Sequence, residues 1–185
     1  MIRIIAGVKK GKKLKVLSGV TRPLTDMIKT SIFDLIADYI PDSSILDLFS
    51  GSGNFAIEAM SRGAKCSTLI ELNPEAISLI KENLINTKFT VQTEVICENT
   101  FTFLKTKNTR KYYDIIFLDP PFPFTIEEKQ ELLNLSGKFM SPKNPNAIII
   151  FRYPKQEIYR SKSNKEIYSK VYGISKVSFY RKKVV

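Results

Sequence analysis

The feature that most constrains this chain is a strict alternation of apolar and amphipathic segments through its middle. Apolar Ser44–Leu48 is followed by a glycine-bearing loop at Ser50–Gly53 and by helical Asn54–Arg62. Apolar Cys66–Ile70 leads to helical Pro74–Asn86, and extended Thr90–Ile96 leads to helical Thr100–Lys105. The pattern continues through Asp114–Leu118, helical Ile126–Leu135 and Ala147–Phe151. Short apolar runs without polar alternation are strands buried on both faces, and helices between them supply the cover. The expected fold is therefore α/β, with a mostly parallel sheet covered on both sides. Two final runs, Glu166–Tyr172 and Ile174–Tyr180, hinge at Gly173 and read as an antiparallel hairpin, which brings the expected sheet to seven strands. A chain of 185 residues suits one such unit, no internal repeat interrupts it, and Ser161–Lys165 reads as a mobile loop.

Ahead of the alternation, Arg3–Gly7 and Lys12–Leu17 read as two short strands around a Lys-Lys-Gly turn, a short basic arm. Ile28, Ile32, Phe33, Leu35, Ile36 and Ile40 then recur at helical spacing between Pro23 and Pro41. The expected organisation is an arm and helix over residues 1–40 packed on a main domain over 41–185.

Charge is segregated along the chain. Residues 1–30 hold eight Lys/Arg against one acid, residues 31–150 eleven against fifteen, and residues 151–185 ten against two. Basic ends around an acidic middle suit contact with a polyanion at the ends and different chemistry in the centre; evenly solvated lysine faces are the plainer explanation. Histidine is absent, which excludes Ser-His-Asp and Cys-His catalysis and most transition-metal sites, and no metal is expected. The two cysteines, Cys66 and Cys97, lie far apart, no apolar run approaches the ~20 residues of a membrane span, and Met1-Ile2-Arg3 lacks a signal-peptide core. A cytoplasmic protein without membrane attachment is expected.

Two constellations carry chemistry. Asp47-Leu48-Phe49-Ser50-Gly51-Ser52-Gly53 lies where the first strand of the alternation meets its helix. Glycines there let backbone N–H groups approach a ligand, and the helix N-terminus adds a positive dipole end. Any tight βα turn can use such glycines, but Glu71 ends the next strand, where a carboxylate can accept from both ribose hydroxyls. A nucleoside-bearing cofactor follows, either a dinucleotide or S-adenosylmethionine.

Asp119-Pro120-Pro121-Phe122 decides between them. It follows the strand Asp114–Leu118 and opens onto the same edge of the sheet as Gly51 and Gly53. A proline-stiffened turn would explain the prolines but not the acid before them and the aromatic after them. The exocyclic amine of a base is a poor nucleophile, because its lone pair is delocalised into the ring. The Asp119 carboxylate and the Pro120 carbonyl can accept its two N–H bonds, and Phe122 can stack on an unstacked base. A sulfonium methyl is already activated, so the absence of histidine fits.

With these residues the chain resembles the small-subunit ribosomal RNA guanine-N2 methyltransferases of the RsmD type. The likeness extends to Arg3-Ile4-Ile5-Ala6-Gly7, Gly11-Lys12-Lys13-Leu14, Arg22-Pro23-Leu24-Thr25-Asp26, Glu58-Ala59-Met60-Ser61-Arg62-Gly63-Ala64 and the terminal Tyr172-Gly173 hairpin. It implies the class I methyltransferase (Rossmann-like) fold, with seven strands of which the last is antiparallel, and methylation of one guanine in 16S rRNA or a small-subunit assembly intermediate. Asp47, Ser50, Gly51 and Gly53 would hold the methionine part of S-adenosylmethionine, Glu71 the ribose, Leu72 and Asn99 the adenine. Asp119, Pro120 and Phe122 would be catalytic. Arg3, Lys9, Lys10, Lys12, Lys13, Arg22 and Pro121 would meet the RNA, with the enzyme acting as a monomer. Met27 and Thr30 depart from the family's first helix, and Arg152 stands where an acid often does.

Adenine-N6 or cytosine-N4 methyltransferases share Asp-Pro-Pro-Phe, but they generally need a target-recognition region that this chain has little length to supply. A non-catalytic nucleic-acid-binding domain or a nicotinamide oxidoreductase with a glycine turn is the rival of another class, and a dehydrogenase should show a proton-transfer residue such as His or a Tyr-x-x-x-Lys pair. The dehydrogenase pair Tyr-x-x-x-Lys occurs at Tyr172 and Lys176, across the terminal hairpin rather than on a cleft helix.

Overall fold

In the computed structural model, which describes residues 2–17, 25–106 and 111–183, the alternation becomes a seven-stranded sheet. Its strands are β3 (Ser44–Leu48), β4 (Cys66–Glu71), β5 (Thr93–Cys97), β6 (Ile115–Leu118), β7 (Ile148–Pro154), β8 (Asn164–Tyr172) and β9 (Ser175–Lys182). They lie in the order β5-β4-β3-β6-β7-β9-β8. Pairing is parallel from β5 to β7, whereas β9 runs antiparallel to both β7 and β8. The last strand thus inserts between its two predecessors.

The period of two along each strand separates two cores. Ile45, Leu69, Ile115, Phe117, Ile148 and Ile150 face one cluster, shared with α1 (Asp26–Leu35), α2 (Asn54–Ser61) and α3 (Pro74–Thr87). Leu46, Leu48, Ile70, Ile116, Leu118, Ile149 and Phe151 face the other, shared with α4 (Thr100–Thr106) and α5 (Ile126–Ser136). Each fully buried Leu, Ile or Phe contributes roughly 1.5–3 kcal/mol, so this double row is the main source of stability. Phe55 of α2 stacks on Phe117 at 3.9 Å and 4°.

Local signals set the helix ends. The Asn73 side chain accepts from Glu75 N and Ala76 N ahead of Pro74, and α3 stops at Lys88 in the left-handed region. A reciprocal capping box between Thr125 and Glu128 opens α5. α1 ends at Leu35, short of the expected Ile40, and a 3-10 turn at Ala37–Tyr39 keeps Ile36 and Ile40 buried.

The basic arm is shorter in strand than expected: β1 (Ile2–Arg3) pairs antiparallel with β2 (Lys13–Leu14). Beyond Arg3 the backbone turns to α2, where Ile5 N and Ala6 N donate to the Glu58 carboxylate at 2.8 and 3.0 Å. Gly7, at φ +82°, lies so close to α2 that a Cβ would sit 1.8 Å from the Ser61 carbonyl oxygen. Ile4 and Leu14 belong to the same apolar cluster as α1, α2 and the sheet. Residues 161–165 are anchored at two points rather than free: Lys162, Ser163 and Lys165 are exposed, and β8 already begins at Asn164. Ser161 and Asn164 are buried, bonded to each other, and covered by Lys183 Nζ on the carbonyls of Ser161 and Lys162.

Candidate active site

From β3 the chain crosses outward to β4 and β5, then returns to the opposite side of β3 for β6 and β7. Such a reversal opens a crevice outside the carboxyl ends of β3 and β6. The loop after β3 and the loop after β6 both lie there, because Leu48 and Leu118 are in register.

The first loop is tightly wound. Phe49, Gly51 and Gly53 all have positive φ, at 63°, 56° and 74°. Open space lies where a Gly51 Cβ would be, whereas one at Gly53 would press on Leu69 and Ile57 at 3.2 and 3.4 Å. Gly51 therefore leaves room for a ligand, and Gly53 lets α2 pack on the sheet. Ser50 is spent internally: its hydroxyl donates to Asp47 O at 2.7 Å. At the end of β4, Glu71 fastens the loop, its Oε2 accepting from Gly51 N at 2.8 Å and its Oε1 from Leu72 N and Asn73 N at 2.8 and 3.0 Å. Leu72 is exposed beside it.

Asp47 is buried and accepts from Ala56 N at 3.3 Å. Burial pushes its carboxyl up to about 8, despite that hydrogen bond, and the nearby Asp119 and Glu71 charges add to the rise. Three carboxylates converging on one crevice suit a ligand that brings positive charge and hydroxyl donors. Asn99 caps α4, its Oδ1 accepting from Phe101 N and Thr102 N at 2.9 and 3.2 Å.

The second loop carries Asp119, which Leu118↔Phe151 pairing sets beside Arg152 of β7. Arg152 Nε and Nη2 donate to Asp119 Oδ1 and Oδ2 at 2.7 and 2.9 Å. Burial pushes the Asp119 carboxyl up and the guanidinium opposes it. Pro120 is buried, and Pro121 and Phe122 are half-buried. Lys129 of α5, fully buried, donates to the Phe122 carbonyl at 2.9 Å and pairs with Glu157 at 3.0 Å. Arg152 and Lys129 were not singled out as site residues by sequence reasoning, because their partners lie 33 and 28 positions away. Phe124, which packs edge-on against Phe49 at 5.7 Å, was missed as well, although the repeated Pro-Phe at 121–124 was a signal.

Lys10, Lys12 and Lys13 are exposed on the arm, Lys9 is half-buried, and Arg3 lies 3.6 Å from Asp26. Met27 and Thr30 line a groove of about 480 Å³ between α1 and β8. Arg22 lies outside the described residues.

Strand order and crevice define a class I methyltransferase fold, and solved structures agree. The full chain superposes on the provisionally named methyltransferase yhhF of Escherichia coli with a TM-score of 0.83 at 31% identity, covering 99% of it. Residues 2–181 match the family model described as conserved hypothetical protein 95. Ribosomal RNA small subunit methyltransferase D of Haemophilus influenzae is 37% identical over 84% of this chain and 80% of its own length. The provisionally named rRNA methyltransferase YlbH of Bacillus subtilis is 33% identical over 98% of this chain and 100% of its own. The chain belongs to this family of methyltransferases.

Proposed function

We propose that the protein methylates the exocyclic N2 amine of a guanine in small-subunit (16S) ribosomal RNA, free or within an assembly intermediate, acting as a monomer in the cytoplasm. The observation that carries this reading is the meeting of two loops at one crevice: a glycine loop tied to Glu71, and Asp119-Pro120-Pro121-Phe122. The names of the relatives supply the RNA class.

The donor set suits S-adenosylmethionine. Glu71 would take the ribose hydroxyls, Leu72 and Asn99 the adenine, and Gly51, Gly53 and Asp47 the methionine end, while Ser50 holds the loop's shape. S-Adenosylmethionine supplies a methyl activated as a sulfonium: the amine lone pair forms the N–C bond, the C–S pair leaves on sulfur, and the amine's surplus proton passes to water. Asp119 and the Pro120 carbonyl would accept the two N–H bonds, localising the lone pair on nitrogen and aiming it. Phe122 and Pro121 would hold the extruded base by stacking and contact. Arg3, Lys9, Lys10, Lys12 and Lys13, with Arg22, would bind phosphates.

The test is mass analysis of rRNA nucleosides from a strain lacking the gene. Loss of one N2-methylguanosine from 16S rRNA, restored by the wild-type gene, is expected. An unchanged N2-methylguanosine content, or loss of N6-methyladenosine or N4-methylcytidine instead, would overturn the assignment.

A further inference from the structure

Arg152 does two things at once. Its Nε and Nη2 grip the two oxygens of Asp119, and its guanidinium carbon lies 5.6 Å from the centroid of the Phe122 ring. The Phe122 carbonyl is gripped in turn by buried Lys129 from α5. The loop is thus fastened by cations on two separate elements, and Arg152 alone among the described residues reaches both the carboxylate and the ring.

We infer that Arg152 is a positioning residue for amine methylation, fixing the plane of the Asp119 carboxylate and the pose of the Phe122 ring against the incoming base. This rests on the reading of Asp119 as the amine's acceptor. A carboxylate offers about four lone-pair directions and Arg152 uses one on each oxygen. The Asp119 side chain keeps 15% of its surface exposed and Arg152 11%, so acceptor capacity and a path to it both remain. A planar fork sets the orientation of its partner in a way that a point charge cannot.

The same grip sets the charge of Asp119. The other charged groups around the loop are Asp47 of β3, whose carboxyl the Asp119 charge pushes up and on which Glu71 acts from the end of β4, and Lys129, which reaches the Phe122 carbonyl from α5. Burial opposes ionisation of Asp119, and Arg152, the cation in direct contact, favours it. Without Arg152 the carboxyl holds its proton to higher pH, and a protonated carboxyl donates where the amine needs an acceptor.

The experiment is single-turnover methyl transfer from saturating S-adenosylmethionine to small-subunit particles lacking the modification, between pH 6 and 8.5. Arg152→Met, Arg152→Lys and Asp119→Ala are compared with wild type, and S-adenosylhomocysteine affinity and melting temperature are measured alongside. Arg152→Met is expected to lose about 10²-fold at pH 7, with its activity midpoint moved up by at least one pH unit and cofactor affinity within about 3-fold. Arg152→Lys keeps the charge, so its midpoint stays near wild type while its rate falls about 10-fold, because a bidentate grip is lost. A wild-type rate in Arg152→Met, or a loss that is constant across pH and tracks a fall in melting temperature, overturns the inference. If Arg152→Met does not fold, Arg152→Lys decides, and a wild-type rate there overturns it. Activity retained by Asp119→Ala refutes instead the underlying reading of Asp119, whereas an inactive Asp119→Ala beside a wild-type-like Arg152→Met refutes only the role of Arg152.

Discussion

Glu58 joins the arm to the body of the protein, and its removal has a cost that can be reckoned from its partners. Its carboxylate is fully buried and meets four donors: Ile5 N and Ala6 N from the arm, Lys29 Nζ at 3.1 Å, and Arg62 Nε at 2.8 Å. Lys29 is itself fully buried and also donates to Arg3 O at 2.6 Å and Asn54 Oδ1 at 2.8 Å. Burial pulls the Lys29 pKa down and Glu58 opposes the fall, so the lysine depends on this partner for its charge. Breaking one side of such a pair costs about 3–5 kcal/mol. At about 2–4 °C per kcal/mol for a domain of this size, Glu58→Ala should melt ~6–20 °C below wild type. Differential scanning calorimetry at pH 7 measures this, and trypsin should cut the arm of the variant near Lys9 and Lys10 sooner. Adding Lys29→Met removes the stranded charge, so the double variant should lie at least ~1 kcal/mol above the sum of the singles. A melting temperature within about 2 °C of wild type, or strict additivity, would refute the reasoning.

Three further perturbations separate cofactor from RNA. Glu71→Ala should weaken S-adenosylmethionine binding ~10- to 100-fold by calorimetry, since each hydrogen bond to a charged group is worth ~1.5–3 kcal/mol; unchanged affinity would remove Glu71 from the site. Replacing Lys9, Lys10, Lys12 and Lys13 with Ala should flatten the salt dependence of RNA binding by roughly 0.7–0.9 log units for each phosphate the arm no longer neutralises, leaving cofactor affinity alone; an unaltered slope would return these lysines to plain solvated surface. Asp47, raised to about 8 in the free protein, should ionise when a cationic methionine group binds. Binding should therefore release a proton near pH 7, and affinity should rise with pH until about 8, in wild type but not in Asp47→Asn. Because its carboxyl is raised, Asp47 favours the free fold below its ordinary range, about 3.8, and that contribution is lost as pH climbs toward 8.

Local signals carried most of the fold. The run Ser44–Leu48 coincides with β3, and Asn73-Pro74 and Thr125 start helices where capping residues should. Expectations strayed where competing interactions were long-range. The arm's expected first strand ends early because Glu58, more than fifty positions away, takes its N–H groups. The first helix stops early because a 3-10 turn buries Ile36 and Ile40 as well as a helix would. At the site, the glycine loop, Glu71 and Asp119 are legible because their chemistry is tied to loop position. The ion pair of Asp119 with Arg152 is not, since it arises only when β6 and β7 lie in register. Ser50 and Asn99 read as ligand-binding in the sequence; in the fold the Ser50 hydroxyl donates to Asp47 O and Asn99 Oδ1 also caps α4, a local engagement that residue type and position do not announce.

The central claim is that Asp119 accepts a hydrogen bond from the amine that receives the methyl group. Its most direct test is single-turnover methyl transfer by Asp119→Ala to small-subunit particles lacking the modification, at saturating S-adenosylmethionine and well below the variant's melting temperature. The account predicts a fall of ~10²-fold or more with cofactor affinity retained, because the acceptor and the aim of the nitrogen are lost together. Turnover at the wild-type rate in a folded, cofactor-binding Asp119→Ala would contradict it.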